Sequence, residues 1–531
     1  MKQTILLLLI ASLLTPALFA QTNYVQIGPL TTNPGTSNFI IGSQVGNMTL
    51  TGSNNMVVGI NAGTNLTTGS SNMFIGQEAG RVSTTGTRNM FIGYQAGVLN
   101  STGTFNTFIG QRAGINNQDG YSNSFLGTQA GLSNTSGIYN VFVGGDAGYN
   151  NTVGQENAFI GTSSGYWNTT GSWNAFLGHG AGNKNTTGSE NTFVGTYSGL
   201  HSQIGSGNAF MGYMSGYYNY SGGQNAFLGY QSGFSNYSGA RNAFVGYQAG
   251  YSNFASQYDT YVGYQAGFNA KADSNTFMGY RSGYVLSTGR SNTYFGAGSG
   301  RNNVTGSRNT YVGRDAGPSE STDDNVYVGY ATGQEDRGSQ NTFLGTESGV
   351  LASNREPLFN ATAIGARAKV AVSNAVVLGN NANVGVGTSA PTSRLHVVGE
   401  QEHTSGLRLE KLTAGSPSTA NTDQFLTVNE RGEVVKGRYR VQISSPADWS
   451  DKVFAATYPL MPLDEVAAFV KKHEHLPNVP SAQTVAKEGI DAVQLNAKLL
   501  EKIEELTLYL IEQKAQIDQL KQEVAALKAK R

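Results

Sequence analysis

The chain has 531 residues, of which 70 are glycine, 38% are hydrophobic and only 13% are charged, unlike an average globular enzyme. Its 34 basic residues balance its 34 acidic ones, so no net field draws the protein to nucleic acid or anionic lipid, and we expect neither as a partner. The lack of cysteine excludes disulfides and thiolate chemistry, which leaves packing as the source of stability.

The N-terminus has the layout of a secretory signal peptide. Lys2 precedes an apolar run over residues 5–14, and small residues follow it as far as Ala20. Cleavage after either Ala17 or Ala20 fits this layout. We therefore expect an exported protein, secreted or held at the cell surface. No later stretch offers the roughly eighteen unbroken apolar residues of a membrane helix, so we expect no transmembrane segment of its own.

Most of the chain repeats one motif, Asn-x-aromatic-aliphatic-Gly. Fourteen copies place the motif glycine at intervals of seventeen residues, and five more follow at sixteen or seventeen. A fixed period of this length is the signature of a solenoid. The motif glycines are Gly42, Gly59, Gly76, Gly93, Gly110, Gly127, Gly144, Gly161, Gly178, Gly195, Gly212, Gly229, Gly246, Gly263, Gly279, Gly296, Gly313, Gly329 and Gly345.

Each copy has little room for regular structure. The run at residues 107–109 is β-branched and aromatic and ends on a glycine, which predicts a short strand followed by a bend, and Ala113-Gly114 predicts a second bend. The polar half of the copy leaves room for only two short strands. Since no copy can bury its own apolar face, we predict a mainly β fold in which the copies stack as coils of a parallel β-roll or β-solenoid. Nineteen coils at about 4.8 Å each give a length of about 90 Å.

Stacking would align equivalent residues into columns. The aromatic column that contains Phe108 and the aliphatic column that contains Ile109 lie on opposite faces of one strand, so at least one should face something outside its own coil, and a partner chain is the natural candidate. We expect the asparagine that opens each strand, such as Asn106, to form an internal hydrogen-bonded ladder. The two fixed glycines of each copy should meet bends with positive φ or a close backbone approach.

A shorter repeat follows, with motif glycines fourteen residues apart. Its sequences AIGARA at residues 363–368 and VLGNNA at 377–382 resemble the head repeat of trimeric autotransporter adhesins. The resemblance covers residues 38–387, most closely in these last two copies and more loosely in the longer ones, where Phe-Ile-Gly stands for the family's Ala-Ile-Gly. It implies a left-handed parallel β-roll in which three chains pack side by side, with the second apolar column buried against sister chains.

The remaining sequence changes character twice. The segment NVGVGTSAPTSRLHVVGE from Asn383 is similar to a junction of phage tail fibres and bacterial surface fibres, and we predict strands at residues 406–412, 425–428 and 433–435. Leu463–His473 is predicted to be an amphipathic helix. The stretch HEHLPNVPSAQTVAKEGIDAVQLNAKLLEKIEELTLYLIEQ from His473 resembles the closing module of secreted fibre proteins of Gram-negative bacteria.

A heptad pattern over about four and a half heptads predicts a parallel coiled coil at the end of the chain. β-Branched a positions with leucine at d favour two strands, whereas the adhesin-like roll implies three; we expect a homotrimer, with a dimer as the alternative. Gln513 would then form a buried polar layer. The a positions are Asn496, Ile503, Leu510, Ile517 and Val524, and the d positions are Leu499, Leu506, Gln513, Leu520 and Leu527.

These patterns divide the chain into seven predicted segments. They are a signal peptide (1–20), a lead-in (21–37), the seventeen-residue repeats (38–350), the fourteen-residue repeats (351–387), a β-rich junction (388–448), a helical closing module (449–494) and the coiled coil (495–531).

No motif predicts catalysis, and we expect a protein that is not an enzyme and needs no cofactor or metal. His473-Glu474-His475 lacks the spacing that puts two imidazoles of a zinc protease on one helical face. Asp323 and Asp324 with Glu320 could hold Ca²⁺, but an exposed acidic turn is the simpler interpretation. The closing module loosely resembles the self-cleaving chaperone of some tail fibres, an alternative that predicts a truncated mature chain.

One surface feature predicts binding. The residue after the motif glycine varies along the chain, yet five consecutive copies place tyrosine there, which predicts a column of phenols about 20 Å long. Such a column offers amphipathic area to sugar rings or a protein partner, although recent duplication or a purely structural stack would explain it too. The residues are Tyr213, Tyr230, Tyr247, Tyr264 and Tyr280.

The function expected from these observations is that of a homotrimeric surface fibre that adheres to an extracellular receptor, glycan or matrix. A structural subunit of an extracellular sheath or filament is one alternative. A receptor-binding protein similar to a phage tail fibre is the other.

Overall fold

The computed structural model describes residues 35–47, 49–351, 356–401, 407, 424–431, 433–438 and 450–530, together with the backbone of 25–27. The predicted signal peptide lies outside the described residues, as does the strand predicted at 406–412 apart from Leu407, which has no regular structure. The chain forms two compact units, residues 1–407 and 408–531, and each is described by itself.

The first unit is a parallel β-solenoid, as the repeat predicts. Each coil of about seventeen residues contributes one three-residue strand, and equivalent residues of neighbouring strands lie opposite each other, as Phe108 does to Phe125. A sheet of 22 strands results, in which β1 (Val25–Ile27) is antiparallel to its neighbour.

The coil strands are β2 (Phe39–Ile41), β3 (Met56–Val58), β4 (Met73–Ile75), β5 (Met90–Ile92), β6 (Thr107–Ile109), β7 (Ser124–Leu126), β8 (Val141–Val143), β9 (Ala158–Ile160), β10 (Ala175–Leu177), β11 (Thr192–Val194), β12 (Ala209–Met211), β13 (Ala226–Leu228), β14 (Ala243–Val245), β15 (Thr260–Val262), β16 (Thr276–Met278), β17 (Thr293–Phe295), β18 (Thr310–Val312), β19 (Val326–Val328) and β20 (Thr342–Leu344). The shorter copies continue the same stack with β22 (Thr362–Ile364) and β24 (Val376–Leu378), so Ala363 takes the place opposite Phe343. β21 (Gly349–Val350) pairs with β23 (Lys369–Val370), and β25 (Val384–Val386) with β26 (Leu395–Val397).

The sequence leaves room for two short strands per copy, but among the described residues the seventeen-residue coils have one each, except the last, where β21 follows β20. The rest of a coil bends too often to be extended. In one coil Phe105, Gly110, Arg112 and Gly114 all have positive φ, between 56° and 140°. Two of these residues are bulky, and hydrogen bonds between coils hold them in this rarely adopted conformation: the Arg112 N–H donates to the carbonyl of Tyr94 at 2.8 Å.

The core of the solenoid is a single stack of aromatic rings. From Phe74 to Phe343 each coil adds one ring, with neighbouring centroids 4.7–5.0 Å apart and ring planes within 14°. The rings are fully buried. Each contact adds about 0.5–1.5 kcal/mol to the effect of burial, so the stack couples every coil to the next.

Asparagine ladders run beside the rings, as predicted for the residue that opens each strand. The side-chain oxygen of Asn89 accepts the N–H of Asn106 at 2.9 Å, and the side-chain nitrogen of Asn106 donates to the carbonyl of Gly120 at 2.8 Å. A second ladder, which the sequence interpretation missed, links Asn117 to Asn100 at 2.6 Å. These amides satisfy backbone groups that the turns would otherwise leave buried without partners.

The fixed glycines have positive φ, as predicted, and each makes room for a different neighbour. Gly110 has φ of +140°, and a Cβ there would lie 2.3 Å from the carbonyl oxygen of Gly127 in the next coil. Gly114 has φ of +56°, and a Cβ would lie 2.6 Å from the ring of Phe108. The first glycine lets the coils approach, and the second makes room for the stacked ring.

One coil interrupts the asparagine ladder with a buried acid, Asp259. Its carboxyl group accepts hydrogen bonds from the N–H of Asn275 at 2.8 Å and from the hydroxyl of Ser256 at 2.7 Å. Burial raises the pKa of Asp259 to about 7, because the desolvation of the carboxylate outweighs these hydrogen bonds. Tyr261 and Asp273 are the other titratable groups that act on it.

The second unit contains a hairpin and a helical module. β27 (Gln424–Val428) and β28 (Val434–Arg438) pair antiparallel, close to two of the predicted strands. A 3-10 helix (Ser450–Phe454) precedes three helices: α1 (Leu463–His473), where predicted, α2 (Ala482–Glu488) and α3 (Ala492–Ala529). The Asp491 carboxylate accepts the N–H of Val493 at 2.7 Å and so caps the start of α3.

The helical module packs on the first half of α3. Lys452 of the 3-10 helix lies 3.2 Å from the carboxylate of Glu501, and the Tyr458 hydroxyl donates to Glu505. Burial and these neighbouring carboxylates raise the pKa of Tyr458, so its hydroxyl remains a donor at neutral pH. The helical module therefore covers one face of this half of α3, a contact that the coiled-coil prediction did not include.

Candidate binding surfaces

The outer face of the solenoid sheet carries an apolar stripe. We define this outer stripe as the third residue of each coil strand, from Ile41 in β2 to Leu378 in β24. None of its members is buried, and eleven of them are 38–52% exposed, including Leu126, Leu177 and Leu228. The expectation that one apolar column faces away from its own coil is confirmed, and it is the aliphatic one.

The predicted tyrosine column is present and exposed. Its five side chains, the phenol column, are each 40–51% exposed, with neighbouring centroids 4.9–5.4 Å apart and planes within 18°. Since each ring stacks on the next along the solenoid axis, neighbouring rings cover much of one another's faces. The column thus presents ring edges and hydroxyls, rather than the flat ring faces that sugar stacking needs.

A second ring column, which the sequence interpretation missed, lies at the fifth residue after the motif glycine. Its neighbouring centroids are 4.9–5.2 Å apart. Alignment of the copies at this position would have revealed it, because the aromatic residues occupy the same five coils as the phenol column. The second ring column consists of Tyr217, Phe234, Tyr251, Phe268 and Tyr284.

The second residue after the motif glycine forms a ladder of amides, here called the amide column, made of Gln231 and Gln248, which are half-buried, and Gln265, which is buried. Each donates from its side-chain nitrogen along the column: Gln248 to Gln231 and Gln265 to Gln248, both at 2.9 Å. The ladder ends where Arg281 donates to Gln265, also at 2.9 Å. At the other end the side-chain nitrogen of Gln231 donates to the sulfur of Met214 at 3.9 Å, and Met214 occupies the same position in its coil.

The predicted coiled-coil residues form an exposed seam on α3. Its apolar members are 47–67% exposed, and Asn496 and Gln513 are exposed too. Three of the seam residues, Leu499, Ile503 and Leu506, also line a cavity of about 570 Å³ between the helical module and α3. An apolar seam of this length on a solvated helix is the pattern of a surface that another helix covers.

The sequence candidates for metal binding are not assembled into a site. The side chains of Asp324 and Arg308 form two hydrogen bonds, at 2.6 and 2.8 Å, which lower the pKa of that carboxyl. Glu320 lies 3.3 Å from Arg337. The rings of His473 and His475 are 6.2 Å apart. Within the described part of the chain, no cluster of three or more His, Asp or Glu residues could hold a metal ion.

In comparisons with known proteins, no family model, no curated protein and no solved structure matches the chain. In the described ranges, no helix has the length and apolar character needed to cross a membrane.

Proposed function

We propose that this protein is an exported, non-enzymatic surface fibre that assembles as a homotrimer and adheres to an extracellular receptor, glycan or matrix. The observation that carries the proposal is the outer stripe. Its strip of sheet is about 10 Å wide and about 100 Å long, or about 1,000 Å², by the dimensions of strands and sheets. A soluble monomer rarely exposes so large an apolar patch, and about 800 Å² per partner suffices for a stable interface.

The exposed seam of α3 supports the same assembly. Both apolar surfaces repeat regularly along their elements, which favours further copies of this chain in parallel over an unrelated partner. The resemblance to adhesin heads favours three chains, while the β-branched a positions of the seam favour two. Assembly in register would multiply any weak contact of the exposed columns, because linked sites bind with higher avidity than single ones.

The mass of the full-length exported chain in solution, measured by light scattering, tests the assembly. Three chains per particle support the proposal, two support the dimer instead, and one overturns it. Replacing Leu177 and Leu228 by lysine should dissociate the particle if the outer stripe is the interface. The matched control is Phe105→Lys, which adds charge at an exposed apolar residue outside the stripe.

Adhesion needs its own assay: retention of the fluorescently labelled protein on cells and on immobilised extracellular matrix. Retention supports an adhesin, and failure to bind any of these surfaces overturns that role.

The alternative of a sheath or filament subunit is favoured by one specific feature, the length of the outer stripe. It predicts ordered polymers in electron micrographs.

A further inference from the structure

The two ring columns and the amide column form one surface, which we call the platform. At its end the guanidinium carbon of Arg281 lies 5.4 Å from the ring centre of Tyr280 and 5.1 Å from that of Tyr284. Arg281, the residue that follows Tyr280 in the chain, therefore lies between the two ring columns. The two ring columns repeat over five coils, and the position between them is glutamine in three of these coils, with Met214 and Arg281 at the two ends.

The platform presents hydrogen-bonding groups and little charge. Gln231 and Gln248 are half-buried, and each uses one N–H and one oxygen lone pair along the ladder, which leaves a second N–H and a second lone pair for a ligand. Gln265 is buried and supports the ladder from below the surface. Each phenol adds a hydroxyl that can donate and accept. Arg281, which ends the amide ladder, is the only charged side chain at these three positions in the five coils. The matching ligand is uncharged and rich in hydroxyl groups.

The spacing of the platform selects among extended polymers. A polypeptide strand advances about 3.3 Å per residue and would lose register with coils about 4.8 Å apart after one or two residues. A helix, with a pitch of about 5.4 Å, comes closer, but helices dock through apolar side chains into grooves, and the platform offers hydroxyls and amides instead. In an extended chain of β-1,4-linked hexoses, successive sugar rings follow one another at nearly the spacing of the stacked phenols, 4.9–5.4 Å. Alternate sugars are turned over, so every second coil would meet an equivalent sugar.

We propose that the platform binds a neutral, extended β-linked hexose polymer that lies parallel to the solenoid axis, with about one sugar per coil. The amides and phenol hydroxyls bond to the hydroxyls of the sugars, and the ring edges line the two sides. The inference rests on the proposed adhesive function and names the class of its ligand.

Calorimetric titration of the full chain with cellohexaose tests this inference. Maltohexaose, which has the same sugars in α-linkage and a coiled shape, is the control ligand. We expect cellohexaose to bind and maltohexaose not to bind. Equal binding of both, or binding of neither, overturns the inference.

A variant of the amide column tests the site. Replacing Gln231, Gln248 and Gln265 by methionine keeps the size of the side chains, and Met214 already occupies this position in a neighbouring coil. Loss of the free amide groups should weaken cellohexaose binding at least about tenfold. An unchanged affinity overturns the site. The control Phe105→Ser removes an exposed ring outside the platform and should leave binding intact.

Two further measurements separate the explanations. Should the methionine variant melt well below the parent chain, Tyr230→Phe with Tyr247→Phe removes two hydroxyls and keeps the stacked rings; unchanged cellohexaose affinity in a stable variant overturns the site. A chain that adheres to cells or matrix but does not bind cellohexaose overturns the ligand class alone. A chain that binds cellohexaose but no cell or matrix overturns the adhesive role and leaves the platform as a glycan site.

Discussion

The buried acid Asp259 should make one part of the solenoid sensitive to pH, and the substitution Asp259→Asn should abolish that sensitivity. Asparagine occupies the equivalent position in most other coils, so the ladder accommodates it. In the native chain the carboxyl group has a pKa of about 7 when folded, against an ordinary value of 3.8. As pH rises, the unfolded chain therefore loses this proton about three pH units below the pH at which the folded chain loses it.

The sign and size of the effect follow from this difference. Below about pH 4 both states hold the proton, so this acid causes no change of stability with pH. Between about pH 4 and pH 7 only the unfolded state ionises, so stability falls as pH rises, by about 1.4 kcal/mol per unit. Above pH 7 the loss is complete, at about 4 kcal/mol. The asparagine variant should match the parent near pH 4 and exceed it by up to this amount at pH 8.

Hydrogen exchange is the assay of choice, because a repeat protein can open locally without unfolding as a whole. The N–H of Asn275, which donates to Asp259, should exchange faster at pH 8 than at pH 5 after correction for intrinsic rates, and this difference should vanish in the variant. Asn123→Asp, in a regular coil where the residue is fully buried, should create the same dependence at a new place. Equal pH dependence of the parent and the Asp259 variant would refute the argument.

Three further outcomes follow from packing. Gly114→Ala should lower the free energy of unfolding by about 1–3 kcal/mol, measured by denaturant titration, because its Cβ would meet Phe108 in a backbone conformation unfavourable to alanine. The control is Gly145→Ala, which has no atom within 4 Å of its Cβ. Equal effects of the two substitutions would contradict the role of the bend. Phe176→Ala should cost about 3–5 kcal/mol in a guanidinium titration, since it leaves a gap in the ring stack, and a cost below about 1 kcal/mol would mean that the neighbouring rings close it. Leu506→Lys should reduce the number of chains per particle measured by light scattering if the seam of α3 is an interface, and an unchanged mass would show that it is not.

Several features of the site were readable from sequence and others were not. The tyrosine column was found because one position repeats in five consecutive copies, and the same test would have found the second ring column. The amide column was harder to see, since glutamine at a surface position is unremarkable until its neighbours are known to stack on it. How the rings are oriented depends on their spacing in three dimensions, which no alignment reveals.

By itself, the sequence determined the architecture of the solenoid. A period of seventeen residues, apolar runs too short to bury themselves, an asparagine at each strand and glycines at fixed places leave stacked coils as the consistent solution. Tertiary structure decided which face of each strand turns inward. The aromatic and aliphatic columns are equally apolar, but only the inner one can use the space beside Gly114, where a missing Cβ admits the ring of Phe108. The rings therefore stack inside, and the aliphatic side chains remain exposed as the outer stripe.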